Sequence, residues 1–353
     1  MFGDQDGQDP PDHHHFTDSV RVVQLAPSAV VIGDVAADPS AYAAHGTVIR
    51  SLDATVTVGA GSMVLENSVV AGRPGLEVRI GAKTVFGHRC LIVGATLGDL
   101  CEIGNGTIVE PGAVLGDRVF TGEGTRIPAG ARIASNAVVV GSPGRRVRAA
   151  TAADLDRLSG LRGGDLSIPR SDPRSIAGRP RAGAAMGTTY EYKGTWPKID
   201  DTAVIFESAE LTGDVHVGPR TIIGAGVKII GDSHGPVRIG ADVQILENTV
   251  LHLLPDNELV IEDGVVIGPG CMIHGCHIGA GTVVEPGANV CDWSVVGAGC
   301  VVGAGSVVKQ RSTFGDSTVI DGFPAKALGP VVEPAGLAPW AFEPGDVATV
   351  TRR

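Results

Sequence analysis

Three histidines of the chain, His88, His252 and His274, stand at positions where its two halves differ and could bind a metal or transfer protons. The sequence matches itself when it is shifted by 181 positions, so each residue of the first half has an equivalent in the second. The three differences pair these residues: His88 with Pro269, Ala71 with His252, and Val93 with His274. Histidine is a common metal ligand and acid–base group. Each half therefore lacks histidine at those of the three positions where the other half has it.

A shorter repeat inside each half predicts the fold that must position these histidines. Aliphatic residues recur every six positions, as in Ile278, Val284, Val290, Val296, Val302 and Val308, and in Leu97, Ile103, Val109 and Leu115. A period of six fits neither a helix nor simple strand alternation, but it suits coils of three short strands. Such coils stack at about 4.8 Å. The pattern predicts an all-β chain with two parallel β-helices.

Composition shifts along the chain predict its domain boundaries. Residues 1–19 are polar and acidic, contain His13, His14 and His15, and are expected to be disordered with at most incidental metal affinity. The expected order is a first β-helix domain at 20–162, a linker at 163–189, a second β-helix domain at 190–330 and an irregular tail at 331–353. A short helix capped by Thr151 closes the first domain, and Trp340 and Phe342 could dock the tail.

The composition narrows the classes of partner. A formal net charge of −11 and a pI near 5.3 argue against nucleic acid and anionic lipid as partners. No apolar run of about 20 residues and no signal peptide are apparent, so we expect a cytoplasmic protein without a membrane partner. The six cysteines show no Cys-x-x-Cys spacing and are expected to be reduced and structural.

Several motifs carry a resemblance to a known family. In the second half they are Tyr190-Glu191-Tyr192, Gly213-Asp214-Val215, Leu251-His252, His274-Gly275-Cys276 and Gly322-Phe323-Pro324-Ala325-Lys326. In the first half they are Gly33-Asp34-Val35, Gly87-His88 and Gly141-Ser142-Pro143. With these motifs the chain resembles the γ-class carbonic anhydrases, which are left-handed β-helices built from hexapeptide repeats. The resemblance covers most of the chain apart from its ends and linker, and it implies an internal duplication.

The resemblance implies a metal site. Family members bind Zn²⁺ or Fe²⁺ through three histidines contributed by neighbouring β-helices of a trimer. By that likeness His88, His252 and His274 would form at most one composite site per chain, where a first-half β-helix packs beside a second-half one. Three imidazoles about 2.0 to 2.1 Å from Zn²⁺ leave a position for water, whose pKa falls to about 7. The expected substrate is CO2 or bicarbonate, and the expected assembly groups β-helices in threes, from copies of this chain or with a third β-helix subunit.

The resemblance also suggests two catalytic residues. Arg50 resembles the arginine that precedes a Gly-Asp pair in the family, although Ser51-Leu52 follows it here. Glu258, in the loop after His252, could shuttle protons, or it could be a solvated loop acid. The family's active-site glutamine falls on Leu65 and Leu246, so neither half has it.

Two other functions stay open at this point. The chain could be an inactive scaffold whose β-helices serve oligomerisation. It could also be a hexapeptide acyltransferase that uses an acyl-CoA, because the closing Gly322-Phe323-Pro324-Ala325-Lys326 motif occurs in those enzymes as well.

Overall fold

The computed structural model describes residues 24–351 apart from 179, 185, 233, 334 and 335. The segment 1–19, which was expected to be disordered and which holds His13, His14 and His15, lies outside the described residues.

The strands of the first half form two sheets. One is eight-stranded, in the order Gln24–Leu25, Tyr42–Ala43, Met63–Val64, Val85–Phe86, Glu102–Ile103, Phe120–Thr121, Ala137–Val140 and Arg145–Ala149. The other is eleven-stranded and comprises Val30–Ala37, Val48–Val58, Val69–Gly72, Val78–Ile80, Leu91–Val93, Thr96–Leu97, Ile108–Val109, Val114–Leu115, Arg126–Ile127, Arg132–Ile133 and Arg174–Ala177. The long strand Val48–Val58 joins two sides of the coil in this second sheet.

The strands of the second half form three sheets. The first contains Ala182–Gly183, Val204–Phe206, Ile222–Ile223, Gln244–Ile245, Val266–Ile267, Val283–Val284, Val301–Val302, Thr318–Gly322 and Ala325–Pro330. The second contains Thr188–Tyr190, Glu210–Gly213, Lys228–Gly231, Val250–Leu251, Met272–Ile273, Asn289–Val290 and Val307–Val308. The third contains Lys198–Ile199, Val215–Val217, Val237–Ile239, Leu259–Ile261, His277–Ile278, Val295–Val296 and Thr313–Phe314.

Each half closes around its own aliphatic core. Neighbouring coils pair in parallel with side chains in register, as when Val284 stacks below Val302. The six-residue period places one aliphatic side chain from each short strand inside, and both cores consist almost entirely of buried Val, Ile, Leu, Ala and Cys. Helix α1, Ala152–Leu161, begins after Thr151, which caps it with Asp154 in a capping box. The predicted all-β fold, with two left-handed parallel β-helices and a short helix after the first, is confirmed.

Segments of the expected linker and of the expected tail are regular and not irregular. In the linker, Ala182–Gly183 pairs antiparallel with Val204–Phe206. Inside the expected linker, Arg174–Ala177 pairs antiparallel with Val30–Ala37, because Ile176 packs against the first core. In the expected irregular tail, Asp346–Thr351 forms helix α2. Trp340 and Phe342 are buried, as the docking prediction required.

The two β-helices lie side by side, and equivalent coils are at the same height. The Asn248 side chain donates hydrogen bonds to the carbonyls of Gly46 and Asn67, at 2.8 and 3.3 Å. Asn67 and Asn248 are equivalent residues under the 181-position shift, so the chain has returned to the starting level of the first β-helix. We call the contact between the two β-helices the seam.

Candidate functional site

The seam joins two sides of the β-helices that are not equivalent. From the first half it takes the strands that contain Val48, Val69 and Leu91, all of which are buried there. From the second half it takes the sheet that contains Gln244 and Val266. The contact is therefore head-to-tail, with a different surface of each repeat facing the partner.

Residues 338–342 of the tail pack into the seam beside the positions where the first half lacks histidine. Ala71 and Val93 lie in the same buried cluster as Trp340 and Phe342. Phe342 also exchanges two backbone-to-side-chain hydrogen bonds with Gln244, each 2.9 Å long. Because apolar residues surround Ala71 and Val93, this surface of the first half offers no solvent-accessible ligand.

Arg50, expected to be catalytic, is instead a buried residue of the seam. Its guanidinium lies 2.7 Å from the carboxylate of Glu247, donates a hydrogen bond to the Trp340 carbonyl at 2.7 Å and stacks over the Phe342 ring at 4.6 Å. The Arg50 Nε–H is not directed along the line to Glu247, so that contact is an ion pair without hydrogen-bond geometry. Both side chains are almost fully buried. The arginine therefore joins the halves, and within the single chain its side chain is shielded from solvent.

The equivalent surface of the second half stays open. We define the histidine face as the side of the second β-helix formed by Lys228–Gly231, Val250–Leu251 and Met272–Ile273. Val250 and Met272 are only partly buried, whereas the residues equivalent to them in the first half are fully covered. His252 and His274 follow two paired strands of this face, in register on neighbouring coils. The two imidazoles predicted as metal ligands are thus on one accessible surface.

A buried carboxylate supports His274. The His274 Nδ1 atom lies 3.5 Å from Asp292 Oδ2, and Asp292 is 4% exposed. The other oxygen of Asp292 accepts hydrogen bonds from the backbone of Leu254 and Gly275 and from the Asn257 amide, at 3.0 to 3.2 Å. Carboxylates behind metal-ligating histidines fix the ring orientation and the tautomer. Asp292 was not singled out from the sequence, although it stands 18 residues, one coil, after His274.

A second group of ligand atoms adjoins His252. One ligand atom each from Asp232, His234 and His252 lies within 4.8 Å of the others. The rings of His234 and His252 meet edge to face, with centroids 5.4 Å apart. In the described part of the chain this is the only group of three or more His, Cys, Asp or Glu residues that meets this distance. The sequence signal for it is the Gly231-Asp232 pair with His234 two residues further on.

His88 lies apart from this cluster. Its imidazole is 54% exposed, with Nε2 at 3.2 Å from Glu66 Oε2 and Nδ1 at 2.9 Å from Asn105 Oδ1. It borders a groove of about 620 Å³ whose opposite wall includes Val250 and Met272 of the histidine face. Within one chain, the side of the first half that carries Ala71 and Val93 contacts the second half. This contact does not bring His88 to His252 and His274. Their convergence stays a prediction.

The remaining candidates lie at the edge of the site or are inert. Glu258 is exposed in the loop after His252, and its backbone N–H donates to Asn257 Oδ1 at 2.8 Å. All six cysteines are free thiols. Burial raises the pKa of Cys90, Cys101 and Cys271 to about 12, so these thiols stay protonated at neutral pH. No described helix is long and apolar enough to span a membrane.

Known proteins place the chain in a family. A protein named carbonic anhydrase from Geobacillus kaustophilus is 40% identical over 144 residues, which is 41% of this chain and 79% of that protein. Carnitine operon protein CaiE from Escherichia coli K12 is 32% identical over 108 residues, 31% of this chain and 55% of CaiE. An uncharacterized transferase, YtoA of Bacillus subtilis, is 40% identical over 89 residues, 25% of this chain and 52% of YtoA. The chain thus spans only about half the length of CaiE and YtoA.

Solved structures with the same repeat include transferases. A hexapeptide transferase family protein from Anaplasma phagocytophilum is 27% identical, with 46% of this chain and 90% of that chain covered and a TM-score of 0.39. Perosamine N-acetyltransferase from Caulobacter crescentus, with CoA and GDP-perosamine bound, is 29% identical, with 36% and 57% covered and a TM-score of 0.32. No family model matches the chain.

The chain belongs to the hexapeptide-repeat β-helix family that includes the Geobacillus carbonic anhydrase.

Proposed function

We propose that the protein is a γ-class carbonic-anhydrase-like hydratase that interconverts CO2 and bicarbonate. The observation that carries the proposal is the pair His252 and His274 on an accessible face, with the buried carboxylate of Asp292 behind one ring. The 40% identity to a protein named carbonic anhydrase supports the reaction class. Zn²⁺ or Fe²⁺ would be the resident metal.

The residues of the histidine face fit such a metal. With Asp292 beside Nδ1 of His274, the other ring nitrogen would bind the cation. When bound, the metal acts as a Lewis acid that makes water a nucleophile near neutral pH. His252 on the neighbouring coil would supply the second imidazole. Glu258, exposed in the adjoining loop, would carry the released proton to solvent.

The third ligand would come from His88 in the first half of a neighbouring chain. In each chain the seam already uses the side that carries Ala71 and Val93, while the edge with His88 stays exposed. That edge can therefore approach the histidine face of another molecule. The site would be complete only between chains, so the active form is a homo-oligomer or includes a further β-helix subunit.

An internal duplication accounts for the complementary loss of ligands. The 181-position match extends to Asn67 and Asn248, which have backbone φ of 58° and 56° and occupy the same corner in the two β-helices. After duplication each copy could lose the ligands that its own position in the seam made redundant. We propose this origin for the two halves.

The test combines metal content with the rate of CO2 hydration. Wild type at high protein concentration should hold about one zinc or iron per chain, and a pH-indicator stopped-flow assay should report hydration that rises with chain association. His274→Ala and His88→Ala should each lower the rate at least tenfold. His277→Ala, which removes an exposed imidazole paired with Glu262 at 2.7 Å, should leave the rate unchanged.

A variant in which alanine replaces His13, His14 and His15 sets the background from that segment. Absence of metal and of hydration in wild type, even after reconstitution with zinc or iron, would contradict the proposal and favour the scaffold function.

A further inference from the structure

Asp232, His234 and His252 form a cluster that the composite site does not use in full. Each residue is partly exposed, so a dissolved ion can reach the cluster. The Nδ1 atom of His234 is itself buried and has no hydrogen-bond partner among the described residues. Its nearest ionic neighbour is Asp232 Oδ1 at 3.2 Å. A buried nitrogen beside a carboxylate oxygen, without hydrogen-bond geometry, is a polar atom that lacks a partner.

The spacing of these atoms suits a shared cation. Two ligands about 2.0 to 2.2 Å from one ion, at tetrahedral or octahedral angles, lie roughly 2.9 to 3.5 Å apart. The 3.2 Å between His234 Nδ1 and Asp232 Oδ1 falls in this range. One ligand atom of His252 lies within 4.8 Å of one ligand atom each from Asp232 and His234, so a closing movement of about 1 to 2 Å completes the set.

The backbone holds two of the ligands in place. Asp232 follows the strand Lys228–Gly231, and its Oδ1 atom accepts a hydrogen bond from the His234 backbone at 2.9 Å. The next residue, Gly235, lies so close to the Asn257 carbonyl that any side chain there would collide with it. The loop that carries His234 therefore packs directly against the loop that follows His252.

We propose that a single chain binds one divalent first-row transition metal through Asp232, His234 and His252. Two imidazoles and one carboxylate on one side of an ion suit Fe²⁺, Co²⁺ or Zn²⁺ and leave positions open to solvent. The inference shares only His252 with the proposed function and needs neither His88 nor a second chain. In the isolated chain, Asp232 and His234 take the two places that His274 and the His88 of another chain would fill in the composite site.

The experiment is a Co²⁺ titration of the full chain at low protein concentration, read by the visible absorption of bound Co²⁺ and by competition with zinc. Wild type should bind one ion per chain. His234→Ala and Asp232→Asn should each weaken the affinity at least tenfold. His216→Ala is the matched control, since it removes an exposed imidazole of the same domain that lies 3.5 Å from Asp214, and should stay within twofold. Thermal melting of each variant separates loss of metal from loss of fold.

The outcomes separate the inference from the proposed function. Unchanged affinity in folded His234→Ala, or binding that is lost in His274→Ala but kept in His234→Ala, would overturn the inference. Binding that depends on His234 but not on His88 supports it, even if no chain concentration gives CO2 hydration, in which case the proposed function alone fails. Hydration that depends on His88, together with a Co²⁺ affinity of the single chain that is unchanged in His234→Ala, would leave the proposed function and remove the inference.

Discussion

The two halves use the same surface of one fold in opposite ways. In the first half, Val69 and Leu91 are 0% and 4% exposed under the seam, and Ala71 and Val93 stand where ligands would be. In the second half the equivalent surface is accessible and carries His252 and His274, the latter 27% exposed. An imidazole that is buried without partners loses its hydration, whereas one at an accessible face keeps it. The contact between the halves, and not the coil itself, therefore decides which half can keep metal-binding histidines on this surface.

The largest effect is expected when the ion pair between Arg50 and Glu247 in the seam is removed. Arg50→Ala should destabilise the protein by about 3 to 5 kcal/mol, because the buried Glu247 carboxylate loses its cation. Urea unfolding measures the effect. Arg50→Met combined with Glu247→Leu should recover most of it, since neither charge is then buried. An Arg50→Ala protein as stable as wild type would show that the seam does not depend on this pair.

A smaller effect is expected when the packing of the tail in the seam is weakened. Phe342 is 1% exposed and stacks on Phe206 with ring centroids 6.0 Å apart. Phe342→Ala should cost about 3 kcal/mol through the cavity that it leaves, measured by urea unfolding. Phe323→Ala is the control, because Phe323 is 82% exposed and should change stability by less than about 0.5 kcal/mol. Equal effects of the two variants would contradict the role given to the tail.

The smallest effect concerns a carboxylate in the seam. Burial raises the pKa of Glu285, and the neighbouring Glu110 raises it further. The folded protein therefore holds this proton more tightly than the unfolded chain, so stability falls as pH rises from the ordinary glutamate pKa through the raised one. Glu285→Gln should increase the melting temperature at pH 7 by roughly 1 to 3 °C, and the gain should disappear near pH 4.

Thermal scans at both pH values provide this measurement. Glu123→Gln, at an exposed position, should change the melting temperature at neither pH. A gain at pH 4 equal to that at pH 7 would show that the effect comes from packing and not from charge.

The sequence predicted the β-helical coil but did not predict how the two β-helices contact each other. The six-residue period predicted β-helices because each inward side chain needs the same small set of residue types. The 181-position shift could not reveal which side of the first half meets the second, because the buried surface depends on both partners at once.

The same reason explains the contacts that the sequence did not predict. Arg50 was expected to be catalytic from the local motif around it, and that motif gives no sign of its partners Glu247 and Trp340, which are far away in the chain. His234 reaches His252 through the conformation of a loop, which no periodic pattern encodes. Predictable features are those that repeat with the coil.

The tail is made after both β-helices, and this order has a consequence for biosynthesis. Val48, Val69 and Leu91 are made early, whereas Trp340 and Phe342 leave the ribosome roughly 190 residues after the first β-helix is complete. At translation rates of about 5 to 20 residues per second, that surface waits roughly 10 to 40 s for its cover. The nascent chain thus displays an aliphatic strip that is open to chaperones and to mispairing with other nascent copies until Trp340 and Phe342 have been made.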